Sequence, residues 1–360
     1  MAATKKKAKK RVSGARKIRL KELPMYSRQL AAMLASGMPL VQSIVALEEQ
    51  TGNKNFRMVL ASVRTRVEGG SMYSDSLDEY PQVFDELYVN MMRAGETGGM
   101  LAETCERVAT FLESANRLRA KVKSAMMYPT VVICVAIVIS TGLIVFIVPT
   151  FAKMFAGFGA DLPMPTQILL NVSNFIRDYW YIVIAAVSAT VYSLRRYVQT
   201  EKGAYVADTF RLRFPLLGKL AQKIAITRFA ATFAQLMSSG VPILQAMSIV
   251  GVATGNKVIG KAILDARASV EQGNTVSATL KKNKEFPAML IHMLSAGEQT
   301  GKMEEMLSKL AGFYQEEVDT MLEGLTSMLE PLLMVVIGVM IGGIVLAMFM
   351  PIFKMTEVVM

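Results

Sequence analysis

The stretch Lys121–Pro149, KVKSAMMYPTVVICVAIVISTGLIVFIVP, sets two lysines and a Tyr128-Pro129 pair ahead of an apolar run closed by Pro149. From Pro129 to Pro149 there are 21 residues without a charge. At ~1.5 Å per residue these make about 30 Å of helix, enough to cross the hydrocarbon core of a bilayer. A second such run, EPLLMVVIGVMIGGIVLAMFMP, opens at Glu330 and is enclosed by Pro331 and Pro351, both displaced by 202 positions from Pro129 and Pro149. A span whose flanking prolines recur in register predicts a duplicated unit.

The neighbouring soluble segments carry the same repeat. LAAMLASGMPL from Leu30 aligns with FAQLMSSGVPI from Phe233 at an offset of 203, and TGNK recurs at Thr51 and Thr254 with that offset. RAGETGGML and SAGEQTGKM align at 202, so one single-residue step lies between about Leu77 and Phe84. Several anchors in one order are the signature of internal duplication. Within each copy, apolar residues recur at three- and four-residue spacing, the pattern of amphipathic helices, and strand alternation is nowhere sustained. Gly37-Met38-Pro39 reads as a helix stop followed by a proline in the first turn of the next helix, Gly240 and Pro242 being its counterparts. Asn53 is a candidate N-cap.

Duplication imposes a topology. Both copies begin with a soluble bundle and end in a span, so the chain needs one unpaired crossing between them to return to the starting side. FIRDYWYIVIAAVSATVYSL, Phe175–Leu194, supplies it, with Tyr179, Trp180 and Tyr181 as an interfacial aromatic belt. Arg117, Arg119, Lys121 and Lys123 precede the first span, and Arg195, Arg196 and Lys202 follow the second. The intervening loop offers Lys153 and, at the membrane edge, Arg177; the tail offers Lys354. The positive-inside rule puts both bundles in the cytoplasm and the loop and C-terminus outside. The expected fold is therefore all-α: a polytopic membrane protein with two homologous cytoplasmic bundles of about six helices each and three transmembrane helices. Its segments are a basic disordered arm at 1–22, a first bundle at 23–125, a span at 128–150, a periplasmic loop at 151–173, a span at 174–195, a second bundle at 196–328, a span at 330–352 and a periplasmic tail at 353–360.

Charge and composition narrow the function. The net charge of +11 is local: Met1–Lys21 holds ten Lys or Arg and no acid. Such an arm suits nucleic acid, anionic lipid, an acidic partner or plain solvation. No aromatic interleaves its basic residues, so nucleic acid is not expected, and a lipid-facing or solvated arm is favoured. It is not a signal peptide, because no apolar core follows it. With one histidine, His292, and two cysteines, Cys105 and Cys134, in separate segments, neither a metal site nor a nucleophilic triad is expected. Both cysteines read as buried small residues and His292 as a packing residue. Gly297-Glu298-Gln299-Thr300-Gly301-Lys302 imitates a phosphate-binding loop, but three residues separate its glycines instead of four, Met303 follows the lysine, and no strand precedes it. Gly95-Glu96-Thr97-Gly98-Gly99 and its copy read instead as interhelical turns with glycine at positive φ. Glu96 and Glu298 would serve the N–H groups at the start of the next helix, and the turns are candidate partner contacts. Gly338-x-x-x-Gly342 aligns with Ala136-x-x-x-Ser140, small residues that let helices approach closely, within or between chains. Between their flanking prolines the repeated spans carry no charged residue, Glu330 standing at the entry boundary, which disfavours the competing reading of a transporter or permease component.

KVKSAMMYP running to Ile147-Val148-Pro149, with the repeated SGxP and AGExxG turns, resembles the signature of the type II secretion protein F / type IV pilus assembly protein C family over roughly residues 24–355. The resemblance implies an inner-membrane platform protein rather than an enzyme, without a cofactor. Its implied partners are a cytoplasmic secretion or pilus-assembly ATPase, inner-membrane assembly proteins, pilin or pseudopilin subunits, the lipid bilayer and further copies of itself, but no nucleic acid. Many members carry an additional segment before the first bundle, where this sequence has only the basic arm. Metal binding known in some relatives is not carried over, because Gln42 and Met100 stand around Glu96, and Gln245 and Lys302 around Glu298.

Overall fold

Helix starts in this chain earlier than its charge suggests. In the computed structural model, which describes residues 12–156, 162–215 and 217–359, α1 (Ala15–Lys17) runs through a π-helical turn at Ile18–Glu22 into α2 (Leu23–Ala35). A π turn returns to the same face after about five residues rather than four. Ile18 and Leu23 are thereby both buried, and the face continues through Tyr26 and Leu30. From Ala15 on, the described part of the expected disordered arm is thus helix, because Ile18 has an apolar core to enter. Met1–Arg11, the rest of that arm, lies outside the described residues.

The chain forms two compact units. One takes the described residues of Met1–Ala120 and Tyr205–Asp319, the other those of Lys121–Ala204 and Thr320–Met360. In the first unit, α2 is followed by α3 (Leu40–Gln50), α4 (Lys54–Glu68), α5 (Tyr73–Leu77), α6 (Glu86–Thr97) and the start of α7 (Leu101–Gly142). Its later half runs from Tyr205 in α10 (Glu201–Arg213) through α11 (Leu217–Ser238), α12 (Ile243–Ala253), α13 (Lys257–Glu271), α14 (Val276–Leu280), α15 (Ala288–Thr300) and the start of α16 (Met303–Val359). The paired helices α3 and α12 each have 11 residues, α4 and α13 each 15, and α5 and α14 each five.

Local chemistry explains the breaks. Met38 N–H donates to Met33 C=O and Gly37 N–H to Leu34 C=O, both at 3.0 Å, the double bond of a Schellman stop. Val241 and Gly240 repeat it on Leu236 and Met237 at 3.0 Å. These turns need φ of +84° at Gly37 and +75° at Gly240, where a side chain would be strained. Pro39 and Pro242 then stand at the N-cap positions of α3 and α12, one residue ahead of the expected first turn. Asn53 Oδ1 accepts from Asn55 N at 3.1 Å and Phe56 N at 3.3 Å. Asn256 does the same for Val258 at 2.9 Å and Ile259 at 3.2 Å. Asn256→Ala is therefore expected to lower stability by about 1 kcal/mol, read as a drop in the urea midpoint at unchanged m.

One apolar core runs through both halves of this unit, from Ile18, Leu30, Phe56 and Tyr73 to Phe229, Phe233, Ile263 and Leu307. Tyr26 packs edge-on against Phe56, with centroids 5.5 Å apart, while its hydroxyl meets that of Tyr73 at 3.0 Å. Between the halves, Gln245 Nε2 donates to Asn90 Oδ1 at 2.9 Å.

In the second unit α7 continues without a break to Gly142. A π-helical segment at Leu143–Ile147 and α8 (Val148–Ala156) extend it. Two helical stretches among the described residues are long and apolar enough to cross a membrane: Leu101–Met154 and Met303–Pro351, whose apolar parts are little buried within the chain. The expected middle crossing lies in α9 (Met164–Val198), which is not one of these two and is kinked at Tyr179 (φ −120°, ψ 20°). The flanking prolines bound the apolar runs but not the helices. Pro129 lies inside α7, Pro331 and Pro351 inside α16, and Pro149 inside α8. A proline forfeits one i→i−4 bond, and the turns on either side keep theirs. The segment expected as loop is helical at 151–156 and 164–173; 157–161 lie outside the described residues. Likewise the tail from 353 is helical as far as Val359. Val148, Ile344 and Met348 form the buried cluster of this unit, and Thr166 Oγ1 donates to the carbonyl of Ala347.

Candidate functional site

The two AGExxG turns differ from the sequence expectation in where their helices end. α6 runs through Gly95, Glu96 and Thr97, and α15 through Gly297 and Glu298 to Thr300. The turn proper begins after them, with Gly99 at φ +69° and Gly301 at φ +70°. Gly95 and Gly297 are thus helical glycines, and their role is close approach, not positive φ. A Cβ on Gly95 would stand 2.3 Å from Thr104 Oγ1, and one on Gly297 would stand 2.8 Å from the Cα of Met303. Each glycine lets the outgoing long helix, α7 or α16, start against the helix that precedes it.

The glutamates also point the other way. Instead of serving α7, the Glu96 carboxylate reaches back to the N-terminus of α5, accepting from Tyr73 N at 2.5 Å, Ser74 N at 2.9 Å and Ser74 Oγ at 2.7 Å. Glu298 does the same on α14, accepting from Val276 N, from Ser277 N at 3.3 Å and from Ser277 Oγ. The physical reason is the length of α5 and α14. A five-residue helix has almost no internal bonds, so its first N–H groups need an acceptor from elsewhere, and a carboxylate there also meets the positive end of the peptide dipoles. Met72, at the N-cap of α5, offers no side-chain cap. In the first half the α6–α5 junction is fastened again by Arg93 and Asp75 at 3.0 Å.

The fold brings two of the expected turns together. Arg107 Nη1, on α7 just past the Gly95–Gly99 turn, donates to the carbonyl of Ser238 at 3.0 Å. Ser238 ends α11 two residues before Gly240 of the Gly240-Val241-Pro242 turn, and a small cavity there is lined by Gly95, Thr104, Arg107, Ser238 and Ser239. The candidate turns of the two halves therefore adjoin within the unit. Ser74, Ser277, Thr104 and Arg107 escaped sequence reasoning. Ser74 and Ser277 had one usable signal, a serine at both positions of the 203-residue register.

Other expected residues are dispersed. Tyr128 is exposed on α7 and Glu330 on α16. Ala136 and Ser140 are buried in the second unit. A Cβ on Gly338 or Gly342 would meet nothing within 4 Å, so that pair faces open space in the single chain. Cys105 is buried, and burial pushes its thiol up to about 12. Cys134 and His292, in contrast to the expected buried and packing roles, are exposed. Among the described residues no group of three or more His, Cys, Asp or Glu could hold a metal ion.

The arrangement is one of helix junctions, one in each half, and the family comparison follows the same division. The family described as "Type II secretion system (T2SS), protein F" matches residues 26–149 and again 229–351. The chain belongs to this family. Both matches run from a bundle helix through an AGExxG turn into a long apolar helix. Members of the protein F family similar to this chain include type IV pilus assembly protein PilC of Thermus thermophilus, 41% identical over 93% of this chain and 82% of that protein. PilC of Myxococcus xanthus is 40% identical over 93% of this chain and 80% of its own length. Type II secretion system protein F of Vibrio cholerae is 32% identical over 93% and 83% respectively.

Proposed function

We propose that this chain is an inner-membrane platform protein of a type II secretion or type IV pilus machine. It couples the strokes of a cytoplasmic assembly ATPase to the insertion of pilin or pseudopilin subunits into a growing fibre. It performs no chemistry of its own. The observation that carries this reading is that α7 and α16 each begin at a bundle turn and continue unbroken into an apolar stretch long enough to span a bilayer. A displacement of the bundle end is then delivered along one helix to the membrane end. The similarity to pilus-assembly and secretion proteins supports the machine to which it belongs.

In this reading the two halves are copies of one unit. Three crossings, at 128–150, 174–195 and 330–352, keep the bundles at 23–125 and 196–328 in the cytoplasm. The segment at 151–173 and the tail at 353–360 are periplasmic. The Lys and Arg flanking the first and second crossings support that orientation. The ATPase docks on the bundles near the adjoining turns at Gly95–Gly99 and Gly240–Pro242. The open Gly338–Gly342 face serves self-association or contact with another membrane helix.

Two experiments test it. In a strain lacking the gene, the wild-type chain is expected to restore fibre assembly, while a chain with four glycines inserted after Ala120 reaches the membrane in normal amount and assembles none. Wild-type fibre output from the insertion variant would reject coupling through α7. Single cysteines introduced at Leu162 and at Thr200, with Cys105 and Cys134 replaced, are expected to react with an impermeant maleimide only from the periplasm and only from the cytoplasm, respectively. Labelling of both from one side would remove the middle crossing.

A further inference from the structure

The first unit contains a cavity of about 190 Å³ whose wall carries three arginines, Arg19, Arg119 and Arg228, and one acid, Asp85. Arg19 is bound to Asp85 at 3.0 Å, which leaves that pair neutral. Arg119, exposed on α7, and Arg228, half-buried on α11, have no hydrogen bond or ion pair to the protein among the described residues. They face each other as like charges: burial, and secondarily the charge of Arg119, lower the affinity of the Arg228 guanidinium for its proton.

An uncompensated guanidinium drawn out of water is unfavourable, and a second beside it adds repulsion. The fold nevertheless makes room for it. Arg228 Nη1 lies 2.7 Å from where a Cβ on Gly255 would stand, and Gly255 holds φ +74°. Thus Gly255, in the second TGNK motif, is glycine both for its backbone angle and for the guanidinium beside it. At the matching position of the first TGNK, Gly52 has nothing within 4 Å. The residue 203 positions before Arg228 is Met25, so the charge is specific to this half.

We propose that this cavity binds a phosphate group through Arg119 and Arg228. A dianion neutralises both guanidiniums at once, whereas a single carboxylate leaves one unpaired. The planar N–H forks of arginine suit the oxygens of a tetrahedral anion. The group comes either from a soluble phosphate or from a lipid headgroup, and the two sources separate experimentally.

The test uses the full-length chain. In detergent without lipid, inorganic phosphate is expected to raise Tm by about 2–4 °C over chloride at equal ionic strength. Arg119→Gln and Arg228→Met weaken the phosphate response about tenfold, the latter keeping the apolar stem. Arg117→Gln, which removes the same charge one turn-face away, keeps the response. A response that appears only in nanodiscs of phosphatidylglycerol, not of phosphatidylcholine, with the same variant pattern, assigns the phosphate to lipid. If neither arm responds beyond its control, or if Arg119→Gln and Arg117→Gln respond as wild type does, the site does not exist. Arg119 is exposed, so its variant remains a valid test if Arg228→Met fails to fold.

Discussion

Glu298→Ala is expected to destabilise the first unit by about 2–4 kcal/mol, with Glu96→Ala close behind. Each removes a carboxylate that accepts two backbone N–H groups and one serine hydroxyl at the start of a five-residue helix. A hydrogen bond to a charged group contributes about 1.5–3 kcal/mol, and the half-buried position returns part of that to water. α5 has no side-chain cap of its own and α14 only that of Thr275 on Ala278 N, so either is expected to fray and release Tyr73 or Val276 from the core. Urea denaturation of the solubilised chain, followed by far-ultraviolet circular dichroism, reads the effect. The conservative Glu298→Gln keeps one acceptor oxygen and is expected to recover roughly half of the loss. Equal effects of Ala and Gln would mean that the charge at the helix start, and not acceptance by the side chain, carries the stabilisation. A change below about 0.5 kcal/mol in Glu298→Ala, the range of an ordinary surface substitution, would reject the capping role.

Gly297→Ala is the second large effect, and its comparison with Gly95→Ala separates two kinds of crowding. The added Cβ at 297 meets the Cα of Met303 at 2.8 Å and its N at 3.3 Å. Those are main-chain atoms, so no rotamer change makes room, and the start of α16 must move from α15. At Gly95 the new Cβ meets Thr104 Oγ1 at 2.3 Å and Cβ at 2.6 Å. There the obstacle is a side chain. Both substitutions are expected to destabilise by about 1–3 kcal/mol, the range for overpacking. Thr104→Gly should rescue Gly95→Ala, less about 1 kcal/mol for a glycine within a helix. No side-chain substitution at Met303 should rescue Gly297→Ala. In the platform reading Gly297→Ala also lowers fibre output beyond what its stability loss accounts for, since it shifts the root of the helix that enters the membrane. Thermal midpoints of the four variants, with fibre counts in the complemented strain, check both statements.

Much of this was legible before any coordinates. The 21-residue apolar runs, the 203-residue register of SGxP and TGNK, and the Asn53 cap depend on periodicity or on bonds between residues a few positions apart. Such signals survive in one dimension. Errors arose where the deciding partner was distant. Pro129 and Pro331 bound the apolar runs in sequence, but that the helices run through them depends on the turns on either side keeping their bonds. The arm looked solvated because charge outnumbers apolar residues before Lys21, while in its described part Ala15 and Ile18 enter the core.

That this protein is helical, that it carries two long apolar stretches and that its bundle segments recur in order can be read from the chain alone. Hydrophobic spacing and turn residues encode those properties directly. Packing was needed to show that Glu96 and Glu298 serve the helix 22 residues behind them, that Gly95 and Gly297 allow close approach, and that Arg119 and Arg228 share one cavity. These are contacts between elements whose separation in the chain says nothing of their distance in space. They follow from which faces the core has already consumed, and that is known only once the helices have packed.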